Sequence, residues 1–140
     1  MITYVDTSVL IKVIVEEAGS DAAAELWEAS DVLAVVRIGY VEARAALAAA
    51  RRGERLTARQ LGSAKATLDG LWSQLTVVEV TEGLVDDAAE LAEVERLRGY
   101  DAVHLAAAME ISADVVTSAD NDLLRAAARV GLHTADPTAG

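Results

Sequence analysis

Four of the 23 acidic residues in this 140-residue chain stand out by position: Asp6, Glu42, Asp101 and Asp120. Asp6 directly follows the strand-forming run Ile2-Thr3-Tyr4-Val5, and Asp120 lies just past the run Asp114 to Thr117. Glu42 falls in the first turns of the helix that follows a third such run, Val32 to Val36. In an open parallel sheet, ligands bind at the carboxyl ends of the strands, so acids collected there would line a site. They cannot collect unaided, because two like charges ~4 Å apart repel by about 4 kcal/mol at an effective dielectric near 20. Such a group must hold protons or a cation. Oxygen donors without cysteine or a clear histidine pair favour Mg²⁺ or Mn²⁺ over zinc. Mg²⁺ keeps several waters and leaves room for a substrate phosphate, which fits an in-line displacement at phosphorus by an oriented water.

Each acid also has a structural explanation. Asp6, Asp101 and Asp120 occupy plausible helix N-cap positions. Glu42 in a first turn favours the helix dipole, yet Val41 and Ala43 flank it in a helix expected to be largely buried, where an ionised acid needs a partner. Arg44, two residues on, points elsewhere on that helix.

The elements that must position these acids follow from periodicity. After the first strand, Ser8 to Glu17 reads as a mostly apolar, well-buried helix. Gly19 breaks it, and Ser20-Asp21 open a second helix through Glu28. Val32 to Val36 is a continuous apolar run, the pattern of a strand covered on both faces. A helix over Ile38 to Arg52 ends at Gly53, with Arg51 and Arg52 placing charge at its carboxyl end. Thr57-Ala58-Arg59-Gln60 is a capping-box pattern for a helix to about Leu75. Thr76 to Val80 reads as the third strand, Glu82 to Arg98 as a long acidic helix, and Asp101 as the start of another through Ile111. Asp114 to Thr117 is a fourth strand, Asp120 to Val130 a helix, and Leu132 to Thr134 a brief fifth strand.

Strands alternate with helices and no tight hairpin joins any two strands, so the chain reads as an α/β domain with a mainly parallel sheet. One domain over 1–140 is expected, with a short terminal tail from about 135. Strand order brings Asp6, Glu42 and Asp120 to one edge. Asp101 is harder to place, because its helix should run back toward the opposite edge.

Bulk composition narrows the class. Without cysteine there is no disulfide framework and no thiolate metal site. The apolar stretch Val9 to Val15 is interrupted by Lys12 and is too short to span a bilayer, so a soluble, cytoplasmic protein is expected. The net charge of −11 argues against a simple nucleic-acid binder, whose affinity rests on cations at phosphates. Position, rather than net charge, has to show whether part of the acid is gathered into a cation site.

Motifs carry the reading further. The stretch LRGYDAVHLAAAM over 97–109 closely resembles the third acidic motif of PIN-domain nucleases, especially the VapC toxins of bacterial toxin–antitoxin pairs. YVDTSVLIK resembles their first motif, with Asp6 as its acid, and YVEARAAL the second, with Glu42. VVTSADNDLLRAA resembles the fourth, with Asp120. The motifs occur in the family's order over essentially the whole chain. The resemblance implies a three-layer α/β/α sandwich around a four- to five-stranded sheet, and it brings Asp101 into the same acidic pocket. It implies Mg²⁺- or Mn²⁺-dependent cleavage of RNA, inhibition of translation and growth, a homodimer, and a small VapB-like antitoxin as partner. The fourth motif departs from the family's usual threonine-x-aspartate, because Ser118 and Ala119 separate Thr117 from Asp120. Asp122 is therefore an alternative acid.

Thr7 and Ser8 could support a metal-bound water or a phosphate, or cap the first helix, and Thr117 could support the metal site. His104 lies one turn beyond Asp101, where a lone histidine in an apolar helix is more often simply packed and hydrogen-bonded. Arg51, Arg52, Arg55 and Arg59 form the one basic cluster, able to contact RNA phosphates or to sit as a solvated turn. A Mg²⁺-binding receiver-like regulatory module without nuclease activity is the alternative function. It wants a lysine after a late strand, and the only lysines are Lys12 and Lys65.

Overall fold

Every strand enters the sheet in the same direction, and the first in the sequence lies at its centre. In the computed structural model, which describes residues 1–139, the order across the sheet is β3-β2-β1-β4-β5. The strands are β1 (Ile2–Val5), β2 (Val32–Val36), β3 (Thr76–Val78), β4 (Val115–Thr117) and β5 (His133–Ala135). All four ladders are parallel; Tyr4 stands opposite Ala34 on one side and Val116 on the other. A sheet expected to be mainly parallel is wholly so among the described residues.

The helices are α1 (Thr7–Ile14), α2 (Ser20–Ala29), α3 (Gly39–Arg52), α4 (Ala58–Trp72), α5 (Glu82–Val94), α6 (Gly99–Glu110) and α7 (Asn121–Arg129). They cover both faces. Successive side chains of a strand point to opposite faces, and β1 divides accordingly. Tyr4 joins a core with Leu84 of α5, Leu105 of α6 and Leu123 of α7, whereas Val5 joins one with Leu10 of α1, Leu47 of α3 and Leu68 of α4. Helices, sheet and helices make the α/β/α sandwich. No helix among the described residues is long and apolar enough to cross a membrane.

Local chemistry sets the helix starts. The capping box of α4 forms: the Thr57 hydroxyl accepts from Gln60 N–H, and the Gln60 side chain accepts from Thr57 N–H. Thr81 caps α5 through Leu84 N–H. At Gly39 a Cβ would come within 2.7 Å of Val35 Cγ2, so glycine lets α3 start tight against β2.

Several expectations change; α1 ends at Ile14 rather than Glu17, and β3 at Val78 rather than Val80. The long helix over 82–98 stops at Val94, and Arg96 adopts φ 56° before α6 begins at Gly99. Asp101 is thus in the first turn of α6 and does not open it; the cap residue is Arg98. The helix carrying Glu42 buries only one face: Ala43, Leu47 and Ala50 are covered, while Val41 is 67% exposed. Glu42 sits at the margin of that face, half-buried rather than in a wholly apolar setting.

Candidate acidic site

Asp6 performs two tasks with its two oxygens. Its Oδ1 accepts the Ser8 N–H at 2.6 Å and so caps α1, while its Oδ2 accepts the hydroxyl of Ser118, just past β4. The backbone of Asp6 continues the β1–β4 ladder, donating to the Thr117 carbonyl at 3.1 Å. Asp6 therefore caps α1 and at the same time reaches the loop after β4. Only 7% exposed, the carboxyl group is fixed from two elements that meet at the carboxyl edge of the sheet.

Ser118 and Ser8 lock the loop after β4. The Ser118 hydroxyl accepts from Asp120 N–H at 2.9 Å while donating to Asp6, and the Ser8 hydroxyl accepts from Ala119 N–H at 3.1 Å. The residues that lengthen the fourth motif thus tie it to the first. Asp120 caps α7 with Oδ1, toward Asp122 and Leu123 N–H. Its Oδ2 accepts from Arg98 Nη2 at 3.0 Å, and the same guanidinium donates through Nε to Asp101 Oδ2 at 3.1 Å. Asp101 comes to this edge because α6 starts there and runs back toward the start of β4. Its carboxyl group is nearly buried; burial, with Asp120 nearby, lifts its pKa above the usual carboxylate range against the opposing pull of Arg98. Asp122 turns outward, pairing with Arg125 at 2.7 Å on the surface. Asp120, not Asp122, shares Arg98 with Asp101.

Glu42 meets a different partner. Its Oε1 lies 2.8 Å from Nε2 of His104, and His104 Nδ1 lies 2.7 Å from the Tyr4 hydroxyl, which in turn accepts from Val36 N–H at 3.2 Å. Burial opposes charge on His104, but the hydrogen bond to Glu42 and the charges of Asp6 and Asp101 outweigh it and raise its pKa from the ordinary value. Burial drives the Tyr4 phenol well above its own usual range.

The donor set suits a hard divalent cation: carboxylates and hydroxyls only. A cation already sits among these acids in the form of the Arg98 guanidinium, bridging Asp101 and Asp120. A second sign of fit is the Thr7 hydroxyl beside Asp6, which is buried without a hydrogen-bond partner. Among the described residues no three acids or histidines stand close enough to grip an ion as they are. The side chains are instead satisfied by Ser118, Arg98 and His104.

The remaining candidates fall elsewhere. Thr117 spends its hydroxyl on the Ala135 carbonyl at 2.9 Å, fastening β5. Arg51 and Arg52 lie at the far end of α3 from Glu42, about 14 Å along its axis at 1.5 Å per residue, and Arg55 and Arg59 are exposed at the junction beyond. Arg98, Ser118 and Tyr4 are the participants missed from sequence. A serine straight after β4 was a usable signal, and so was the three-residue spacing of Arg98 and Asp101; Tyr4 gave none, because its partner His104 lies on another element.

Comparison with known proteins follows the same lines. The pattern of the PIN domain family matches residues 3–129. The chain is 39% identical over 110 residues to ribonuclease VapC45 of Mycobacterium tuberculosis, covering 79% of this chain and 76% of that protein. The fold is shared with a sarcin–ricin-loop-cleaving toxin, VapC20 of Mycobacterium tuberculosis, at TM-score 0.68 and 21% identity, over 93% of this chain and 95% of that one. It is also shared with a toxin–antitoxin complex from Klebsiella pneumoniae, at TM-score 0.68 and 16% identity, over 96% and 97% of the two chains.

Proposed function

The chain belongs to the PIN-domain family, among its VapC-like members, and from that premise we propose that it is a divalent-metal-dependent endoribonuclease acting as the toxin of a toxin–antitoxin pair. The observation that carries this reading is the convergence of Asp6, Asp101 and Asp120 on one sheet edge, the latter two sharing a cation, with Glu42 reaching in from α3. The substrate is RNA, in keeping with the ribonuclease it matches at 39% identity.

Asp6, Glu42, Asp101 and Asp120 are the residues that would hold Mg²⁺ or Mn²⁺. When bound, such an ion polarises a phosphoryl oxygen and lowers the pKa of the attacking water. Ser8 N–H and Ser118 fix the Asp6 carboxylate before any substrate arrives, so less reorganisation is needed at the moment of reaction. Arg98, 63% exposed, balances two carboxylates that would otherwise repel the phosphate backbone.

Partners in this reading are a cognate antitoxin, by analogy with the toxin–antitoxin complex that shares the fold, and a second copy of the chain. A receiver-like module is disfavoured because Lys12 lies on α1, paired with Glu17 beyond its end, and Lys65 lies on α4, neither following a late strand. The deciding experiment incubates purified protein with total RNA, with Mn²⁺ and with EDTA, and sequences the new ends. Discrete cuts that need Mn²⁺ and vanish in Asp6→Asn are expected; metal-independent cleavage, or none, would overturn the reading. Induced expression should arrest bacterial growth, and Asp101→Asn should not.

A further inference from the structure

The least economical group in the core is the chain Tyr4, His104 and Glu42. Tyr4 is fully buried on the central strand, and His104 is 2% exposed on a helix whose other buried side chains are Asp101, alanines and Leu105. Phenylalanine and leucine would occupy the same space without polar groups to satisfy, and a buried polar network is costly unless every member is paired. Here every member is. Val36 N–H donates to the Tyr4 oxygen, the phenol meets His104 Nδ1 at 2.7 Å, and Nε2 meets Glu42 at 2.8 Å. The ring of Tyr4 packs edge-on against the imidazole, centroids 5.8 Å apart, which fixes the ring plane as well as its nitrogens.

The direction of the last bond follows from chemistry. An ionised carboxylate only accepts, so Nε2 must carry a hydrogen, in the neutral ring and in the imidazolium alike. Asp101 and His104 are three residues apart on α6 and share a face, so the helix that presents one acid also presents the group that holds another. His104 itself lies behind Glu42 with almost no surface, out of reach of a phosphodiester.

We propose that His104, braced by Tyr4 against the β2 backbone, is a positioning residue that presents Glu42 to the divalent cation. The proposal rests on Glu42 being one of the metal-holding acids. Outer partners of metal-binding side chains typically cost 10–100-fold in affinity when removed, and the effect should be confined to the oxygen that His104 holds.

The test is Mn²⁺ affinity measured by calorimetry on the full chain without RNA, in wild type, Glu42→Ala, His104→Leu, His104→Gln, Tyr4→Phe and the double variant Glu42→Ala with His104→Leu. Thermal unfolding serves as the control for folding. His104→Leu should weaken Mn²⁺ binding about tenfold, and His104→Gln, which keeps an N–H donor, should recover part of that loss. Tyr4→Phe should weaken it by about threefold, since it removes only the brace; it also keeps the test alive if His104→Leu does not fold. In the double variant the His104 change should add nothing to Glu42→Ala, because coupled residues are non-additive. A fully additive double variant, or unchanged affinity in folded His104→Leu, overturns the positioning role while leaving the metal site standing. Unchanged affinity in Glu42→Ala removes Glu42 from the site and the proposal with it, and absence of Mn²⁺ binding in every variant overturns both.

Discussion

On one flank of the acidic edge, Asp101 and Asp120 share the guanidinium of Arg98, whose side chain is 63% exposed; on the other, Glu42 is met by His104, 2% exposed and backed by Tyr4. Both arrangements neutralise or satisfy a carboxylate. They differ in what it takes to undo them. Arg98 sits on a short connection between two helices and is surrounded by water, so its ion pairs are screened and replaceable. His104 can leave only by opening the core. The first flank is held by contacts that water and salt can replace, and the second by contacts they do not reach. Asp6, fixed by Ser8 and Ser118, lies between these two regimes.

The comparison breaks most visibly at its centre. Asp6→Asn should lower RNA cleavage by about a hundredfold or more, since metal-assisted charge stabilisation is worth several kcal/mol and each 1.4 kcal/mol is tenfold; initial rates on a defined RNA with Mn²⁺ check this. Next comes the buried flank. His104→Leu leaves Glu42 without its partner and the Tyr4 hydroxyl with only Val36 N–H, and should destabilise the fold by about 1–3 kcal/mol in urea unfolding, with little dependence on salt. The exposed flank should respond differently: Arg98→Ala should cost about 1 kcal/mol or less, and the cost should shrink between about 0.05 and 0.5 M salt as screening replaces the guanidinium. Equal losses with equal salt dependence would erase the distinction. The smallest effect is expected at Asp122→Asn, which disturbs only a surface pair with Arg125 and should change stability by about 0.5 kcal/mol or less, with cleavage unchanged within about twofold by the same rate assay.

Much of this was legible in the chain. Short apolar or β-branched runs located the strands and helical periodicity the helices, and the alternation of the two implied the parallel sheet. The cap at Thr57 was visible because both partners of a capping box lie within four residues. The break at Val94 was not, because Glu95 to Arg98 has ordinary helical composition and only the left-handed conformation at Arg96 reveals the turn. The edge at which Asp101 lies was not legible either, because both helices were read and only the way α5 and α6 pack decides where α6 starts. Asp6 and Asp120 were readable from position after a strand. Tyr4 was not, nor were the partners of Ser118 and His104, because these bonds cross elements; His104 bonds to Glu42, 62 residues away, and Ser118 to Asp6, 112 away.

That last separation bears on when the protein becomes competent during its own synthesis. β1 and β2 lie early in the chain and can pair soon after they are made, but the other neighbour of β1 is Val115–Thr117, near the end. Pairings between distant segments are slow to form because the loop between them must first be closed. The sixth residue therefore waits for the hundred and eighteenth, and Asp120 with it. Until β4 has been made, β1 has a partner on one side only and Asp6 has neither Ser118 nor the loop of Asp120 beside it.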